Sequence, residues 1–237
     1  MAEAAKALDL NVTVIMPKNA PASSIEKIRH SGSTVILDED VSSAFERANT
    51  LAEQGYHIID DCSDTLVAEG YGTLALELIE DCPSLTDVFV AVGGGAMLAG
   101  IATVLKSRNP HIRIWGVETE GANSMYQALK AGKPVNVDIT SAISTLGVPV
   151  IDRLMLAHAQ RYTEKVITVS DSDAIQGMLS FGEKACLWVE PAAGTLIPAV
   201  ISVIPGMPDN AVIGLIICGG NITQREMNEW AKNTDVI

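Results

Sequence analysis

Residues 89–100, "FVAVGGGAMLAG", form an apolar run that stops at three consecutive glycines and then continues with small and apolar residues typical of a helix. A strand that leads through glycines into a helix exposes backbone N–H groups at the helix N-terminus, where unpaired donors and the helix dipole favour an anion. A tight turn can also need glycine for positive φ, but three adjacent glycines exceed that need. The stretch therefore predicts a turn that binds phosphate.

Short apolar runs alternate with helical patterns along the chain. The predicted strands span residues 12–16, 34–37, 56–60, 88–92, 112–118, 165–169 and 211–218. This alternation predicts an α/β fold of mostly parallel twisted sheets with helices on both faces, in which ligands bind beyond the carboxyl ends of the strands. Two predicted strands end in glycines at that place, before Gly93–Gly95 and before Gly219–Gly220. A polar break at Asp60–Asp61 predicts two domains, 1–62 and 63–237.

Composition excludes several classes of function. The 237 residues carry 16 Lys+Arg against 29 Asp+Glu, and the formal charge of -13 argues against nucleic acid or an anionic membrane surface as a partner. The longest apolar runs are far shorter than the roughly 20 residues that span a bilayer. The four cysteines lack CxxC spacing and the N-terminus lacks a signal sequence, so we expect a cytoplasmic location.

Other motifs for phosphate or catalysis are absent from the sequence. A P-loop needs Gly-Lys-Ser/Thr at the helix start, where Ala96–Met97 stands instead. A dinucleotide fingerprint needs a small residue at position 98, and Leu98 argues against it, although Glu118 mimics the ribose-binding acid. The four histidines have no zinc-site spacing, and no G-x-S-x-G elbow is present.

Five segments together resemble the pyridoxal-phosphate enzymes of the tryptophan-synthase-β type (fold type II), and in particular the liver-type L-serine/L-threonine dehydratases. They are "VGGGAMLAGIA", "GVETEGANSMYQALKAGK", "ITSAISTLGV", "EPAAGTLIPAV" and "IICGGN". They occur in the order of that family, and the resemblance covers essentially the whole chain. It implies the remainder of a small α/β domain followed by a large cofactor-binding domain.

The resemblance implies a binding site for pyridoxal 5'-phosphate. The loop that holds the cofactor phosphate corresponds to Gly93, Gly94, Gly95, Ala96 and Met97. Ala96 stands where the family usually has a fourth glycine, which leaves N–H donation unchanged.

The resemblance also assigns a partner to the cofactor ring. Cys218 corresponds to the residue that hydrogen-bonds the pyridine nitrogen, where other branches carry serine. A neutral thiol cannot keep a proton on that nitrogen as a carboxylate can, so we expect β-elimination to be favoured. The alternative for Cys218 is a buried core cysteine at a strand end.

A cation site is implied in the same way. Glu118, Ala122 and Ser124, with the carbonyls of Leu146 and Val148, resemble an all-oxygen shell for potassium, another monovalent cation or a divalent ion. Without the resemblance, Glu118 reads as a solvated carboxylate and Ser124 as a helix N-cap.

Two motifs of the family are not found in the sequence. One is the Ser-x-Lys-x-Arg/Asn stretch that carries the Schiff-base lysine, and the other is the Ser-x-Gly-Asn loop that binds the substrate carboxylate. We therefore expect an N-terminal stretch of the family to be absent. Three hypotheses follow: an incomplete piece of a working dehydratase, a shortened isoform or pseudoenzyme that acts by binding, or a protein with another cofactor or a lysine recruited from elsewhere. Uncovered sheet edges predict aggregation or reliance on a partner.

The complete form would convert L-serine to pyruvate, or L-threonine to 2-oxobutanoate, with release of ammonia, and the family suggests a homodimer. Serine racemase or threonine deaminase chemistry is the close alternative.

Overall fold

A computed structural model describes residues 1–18, 20 and 22–233, arranged in two compact units, Met1–Ile59 and Asp60–Ile237. In the first unit two parallel strands pair, with Thr13 opposite Thr34. The elements of this unit are α1 (Ala2–Ala7), β1 (Thr13–Pro17), α2 (Ala22–His30), β2 (Thr34–Asp38) and α3 (Val41–Glu53). Asp40 caps the start of α3, because its carboxylate accepts the Ser43 N–H at 2.8 Å.

The second unit contains one parallel sheet with the strand order β5-β4-β3-β6. Its strands are β3 (Asp87–Ala91), β4 (Arg113–Thr119), β5 (Lys165–Val169) and β6 (Ile213–Ile216). Its helices are α4 (Thr65–Asp81), α5 (Ala96–Arg108), α6 (Ser124–Ala131), α7 (Arg153–Tyr162), α8 (Asp171–Ala185), α9 (Pro191–Gly194), α10 (Leu196–Val203) and α11 (Gln224–Asn233).

Both faces of this sheet are covered. Because side chains alternate along a strand, Val88 and Val90 of β3 pack into one apolar cluster with α5, while Phe89 and Ala91 pack into another with α10. The Phe89 ring stacks on Trp115 of β4 with the ring centres 5.6 Å apart. The predicted α/β fold with mostly parallel strands is confirmed.

A buried polar network links the amino ends of β3 and β4. Asp87 is fully buried, and its carboxylate accepts hydrogen bonds from the Arg113 guanidinium, from Trp115 Nε1 at 2.8 Å and from the Thr86 hydroxyl at 2.7 Å. Burial alone would raise the pKa of Asp87, but these donors outweigh it and the pKa is lowered. This network joins three consecutive strands, because Thr86 Oγ1 also accepts the Val212 N–H just before β6.

Two strand predictions need correction. Residues 56–60 are not a strand, because no strand pairs with them among the described residues. The strand predicted at 211–218 is shorter, Ile213–Ile216, and it is partly exposed because it lies at the sheet edge. No helix among the described residues combines the length and the apolar character that crossing a membrane requires.

Candidate functional site

The carboxyl ends of β3 and β6 bring two sequence-predicted segments together. Val90 pairs with Ile216 across these strands. Two residues further along each strand, the chain reaches Val92 on one side and Cys218 on the other, so Gly93–Gly95 and Cys218 lie at the same edge of the sheet. This edge is where parallel α/β sheets bind their ligands.

The glycine turn presents unpaired backbone donors. Gly95 is the N-cap of α5 with φ +98°, and the first helical bond runs from Ala99 N–H to the Gly95 carbonyl at 2.9 Å. Within the described part of the chain, no acceptor bonds the N–H groups of Gly93, Gly94, Gly95, Ala96 and Met97. Donors of this kind at a helix N-terminus suit an anion such as a phosphate.

Close packing explains the glycines as well. A Cβ on Gly94 would lie 2.4 Å from the Cβ of Cys62, and a Cβ on Gly93 would lie 3.3 Å from the Thr145 carbonyl oxygen. Only Gly95 of the three has positive φ. The turn therefore needs glycine for close approach and for its conformation, and these needs are compatible with anion binding.

The segment before α4 packs over the turn. Cys62 donates its N–H to the Asp60 carboxylate at 2.8 Å, and its thiol has a pKa raised to about 12 by burial and by Asp61 and Asp60. The pKa of Tyr71 on α4 is also raised, by burial and by Asp61, Cys218 and Cys62. Cys62 and Cys218 therefore both lie within electrostatic reach of the Tyr71 hydroxyl.

Cys218 is exposed, so it is not the buried core cysteine that was the alternative for this position. The protein around its thiol still desolvates it, and together with Glu190 this raises the pKa of Cys218 to about 11. The thiol is therefore neutral near pH 7 and can serve as a weak hydrogen-bond donor or acceptor.

The predicted cation ligands lie together at the end of β4. Glu118 is fully buried, and its two carboxylate oxygens accept the N–H groups of Met125 and Tyr126, each at 2.8 Å. The Ser124 hydroxyl donates to the Val148 carbonyl at 2.5 Å. Burial raises the pKa of Glu118 to about 8, partly offset by the two N–H bonds.

The other two predicted ligands belong to the same region. Ala122 is buried and bridges to Thr119, the residue after Glu118. The Leu146 carbonyl accepts the Val148 N–H at 2.9 Å. The five residues are therefore neighbours, although the hydroxyl of Ser124 and the carbonyl of Val148 satisfy each other by a hydrogen bond.

Comparison with known proteins identifies the family. The model of the family "Pyridoxal-phosphate dependent enzyme" matches residues 1–219. The chain belongs to the pyridoxal-phosphate dependent enzymes. It is 30% identical to L-threonine ammonia-lyase of Thermotoga maritima over 94% of this chain and 56% of the relative, so it spans little more than half of that protein.

Two further similarities agree with this family. The chain is 30% identical to L-threo-3-hydroxyaspartate ammonia-lyase of a Pseudomonas species, over 94% of this chain and 70% of the relative. The solved structure of maize serine racemase superposes with a TM-score of 0.87 at 27% identity, covering 98% of this chain and 72% of that one. Relatives of this chain thus include ammonia-lyases and racemases, and their structures share the fold type II architecture that the sequence predicts.

The residues present fit part of the family's cofactor. The five unpaired N–H groups suit its phosphate, and the neutral thiol of Cys218 at the same edge suits the nitrogen of its ring.

Within the described part of the Asp60–Ile237 unit, no lysine belongs to the glycine turn or to the segment that carries Cys218. The lysines of the Asp60–Ile237 unit lie at the start of β5, in the last turns of α5, α6, α8 and α11, or just beyond α6. They are Lys106, Lys130, Lys133, Lys165, Lys184 and Lys232.

Sequence reasoning missed three features of the site. It treated Cys62 as an unassigned cysteine, did not consider Tyr71, and quoted Glu190 within a motif without giving it a role. Cys62 and Tyr71 join the site only through tertiary contacts. For Glu190 a signal existed, because a glutamate is an unusual residue to place directly before a proline that starts a helix.

Proposed function

We propose that this chain forms the cofactor-binding part of an ammonia-lyase that acts on L-serine or L-threonine, giving pyruvate or 2-oxobutanoate and ammonia by β-elimination. The observation that carries the proposal is the set of unpaired N–H groups at Gly93–Met97 beside Cys218. When bound, pyridoxal phosphate supplies an electron-withdrawing ring that makes the α-proton and the β-hydroxyl of an amino acid easier to lose.

The residues of this chain have binding and orienting roles in the proposal. The turn N–H groups hold the phosphate, and the Cys218 thiol contacts the ring nitrogen. A monovalent cation such as potassium binds at Glu118, whose buried carboxylate pairs with no cationic side chain among the described residues. The oxygen ligands there are those that hard cations prefer.

A non-catalytic binding protein is the second candidate, and the positions of the lysines favour it. No lysine of the described Asp60–Ile237 unit lies at the glycine turn, so the unit binds the cofactor without supplying the amine that would move the α-proton.

The test uses the purified 237-residue chain with pyridoxal phosphate. Binding of the cofactor is measured by absorbance titration, with inorganic phosphate as a competitor. Borohydride reduction followed by peptide mass mapping locates any labelled lysine. Turnover is assayed as pyruvate formed from L-serine and 2-oxobutanoate formed from L-threonine. Turnover with a specifically labelled lysine supports the ammonia-lyase. Binding that phosphate competes away, with no label and no turnover, supports the non-catalytic candidate. Absence of binding overturns both, and D-serine in place of keto acid would show a racemase.

A matched pair of variants tests the turn itself. In Gly94→Ala the new methyl collides with Cys62, so we expect at least tenfold weaker cofactor binding. Gly182→Ala on α8 meets no atom within 4 Å and keeps wild-type affinity. Circular dichroism of both variants separates a loss of binding from a loss of folding. Equal affinities in the two variants would contradict the assignment of the phosphate to this turn.

A further inference from the structure

Segment 141–148 lies directly against the glycine turn. A Cβ built on Gly93 would lie 3.3 Å from the Thr145 carbonyl oxygen, 3.6 Å from the Cα of Leu146 and 3.7 Å from Cγ2 of Val148. Gly93 is the first residue of the turn whose N–H groups we assign to the phosphate. The position of segment 141–148 therefore sets how the turn is supported from this side.

Asp171 holds the start of this segment. One oxygen of its carboxylate accepts the Ser141 hydroxyl at 2.7 Å, and the other accepts the Ala142 N–H at 2.6 Å. The Ser141 hydroxyl oxygen in turn accepts the Ile143 N–H at 3.1 Å. Hydrogen bonds to a carboxylate are stronger than those between neutral groups. Asp171 thus fixes consecutive residues of the segment, directly or through the Ser141 hydroxyl.

The segment is also held at its far end and in between. The Val148 carbonyl accepts the Ser124 hydroxyl at 2.5 Å. Between the ends, Ile143 is buried in one apolar cluster with Ala174 of α8. Asp171 is the first residue of the same helix, so its carboxylate and the Ala174 side chain hold the segment from one rigid element.

The start of α8 does not require the Asp171 carboxylate. Ser170 caps this helix, because its hydroxyl oxygen accepts the Asp173 N–H at 3.0 Å. Asp171 and Asp173 both lie in the first turn, where the helix dipole favours acidic residues. The Asp173 carboxylate is exposed and accepts the Ser170 hydroxyl at 2.8 Å, whereas the Asp171 carboxylate bonds a segment from another part of the chain. The two aspartates therefore form a matched pair.

We infer that Asp171 is a positioning residue for the phosphate site, and that it acts by holding segment 141–148 against Gly93. The inference rests on the proposed function. The hydrogen bonds of the Asp171 carboxylate go to Ser141 and Ala142, so its effect on a ligand passes through the segment. Without this carboxylate, Thr145 loses its fixed place beside the turn. The turn then binds a phosphate more weakly although the fold is kept, because a site depends on the residues that support it.

The test uses pyridoxamine 5'-phosphate, which carries the phosphate and the ring but has no aldehyde and therefore needs no lysine. Its affinity for wild type, Asp171→Ala and the matched control Asp173→Ala is measured by calorimetry. We expect Asp171→Ala to bind it about tenfold more weakly, an effect of the size seen when groups that orient the ligands of a site are removed. Asp173→Ala should bind it as wild type does.

Two further readouts distinguish positioning from a general loss of stability. Asp171→Asn offers an acceptor for the Ala142 N–H and a donor for the Ser141 hydroxyl oxygen, so it should recover most of the affinity. Amide hydrogen exchange of the ligand-free chain should be faster in segment 141–148 of Asp171→Ala than of wild type, with unchanged exchange in α8. A general loss of stability would instead accelerate exchange in both.

The outcomes separate this inference from the proposed function. Equal affinities of wild type and Asp171→Ala, or an equal loss in Asp173→Ala, overturn the role of Asp171 and leave the proposed site standing. A wild type that does not bind the probe overturns the proposed site and this inference with it. If Asp171→Ala does not fold by circular dichroism, Ser141→Ala decides, because it removes the same contact from the side of the segment. A weaker affinity then supports the inference, and an unchanged affinity overturns it.

Discussion

Asp87 and Glu118 are two fully buried carboxylates at opposite ends of neighbouring strands, and their surroundings differ. Asp87, at the amino end of β3, has a bidentate Arg113 partner and two further side-chain donors, and its pKa is lowered. Glu118, at the carboxyl end of β4, has only two backbone N–H donors, and burial raises its pKa to about 8.

The difference shows how one sheet divides its tasks. At the amino ends the Asp87 charge is paired within the protein, so the removal of one partner would leave the other uncompensated. At the carboxyl ends, the proposed cation site uses the Glu118 carboxylate, and the proposed phosphate site uses the N–H groups after β3. Substitutions at the two ends should therefore affect different properties.

The largest effect is expected at Asp87. Asp87→Ala leaves the Arg113 charge and the Trp115 N–H without their partner, so we expect a loss of about 3 to 5 kcal/mol in the free energy of unfolding. The measurement is urea unfolding at pH 7, with the exposed Asp209→Ala as a control that stays within about 0.5 kcal/mol of wild type. A loss below about 1 kcal/mol would show that the network is not a stabilising element.

Asp87 also predicts a dependence of stability on pH. Because the folded pKa lies below the ordinary value of 3.8, its contribution is complete above that value and is lost as pH falls through the folded pKa. We expect the stability advantage of wild type over Asp87→Asn to shrink in urea unfolding between pH 5 and pH 2. A constant advantage over this range would mean that Asp87 does not titrate with a lowered pKa.

A smaller effect, with a different character, is expected at Glu118. Glu118→Ala removes the carboxylate that accepts two N–H groups at the start of α6. We expect the free energy of unfolding to fall by about 1 to 2 kcal/mol. Potassium at ten times its Kd should stabilise wild type by about 1.4 kcal/mol relative to tetramethylammonium, and Glu118→Ala should abolish this difference. The cap variant Asp152→Ala on α7 loses one hydrogen bond and keeps the potassium response. Equal melting temperatures of wild type in the two salts would exclude the cation.

The smallest effect is expected at Ser124. Ser124→Ala removes the hydrogen bond to the Val148 carbonyl and should cost about 1 kcal/mol. The control is Ser202→Ala, whose hydroxyl bonds the Ala199 carbonyl within α10, and it should change stability by less than about 0.5 kcal/mol. If Ser124→Ala is as stable as the control, the loop at Val148 is not held by this bond.

Much of the fold follows from local patterns in the sequence. Residues 165–169 form a strand where the sequence predicts one, because they are a bounded β-branched run. The helix at 124–131 also ends at a local signal, Gly132 with positive φ. Residues 56–60 contain two adjacent isoleucines but have no pairing strand among the described residues. Local pattern predicts a strand, whereas pairing partners decide whether one forms.

The site was predictable to the extent that it is local. The turn at Gly93–Gly95 is a continuous motif, and the family resemblance supplied Cys218 and the residues around Glu118. The pairing of Asp87 with Arg113 and the contact of Glu190 with Gly219 join residues that are distant in sequence. Such pairs depend on strand order and register, which hydrophobic periodicity does not reveal.

Strand β4 contributes to the surroundings of both buried carboxylates. Arg113 and Trp115 at its start bond Asp87, and Glu118 lies near its end. Trp115 and Val117 pack into one apolar cluster, whereas Ile114 and the helix residue Met125, which bonds Glu118, belong to the other. A deletion of one residue between 115 and 118 would move every later side chain to the opposite face. Along this strand a substitution disturbs one position, whereas a change of length disturbs every later one.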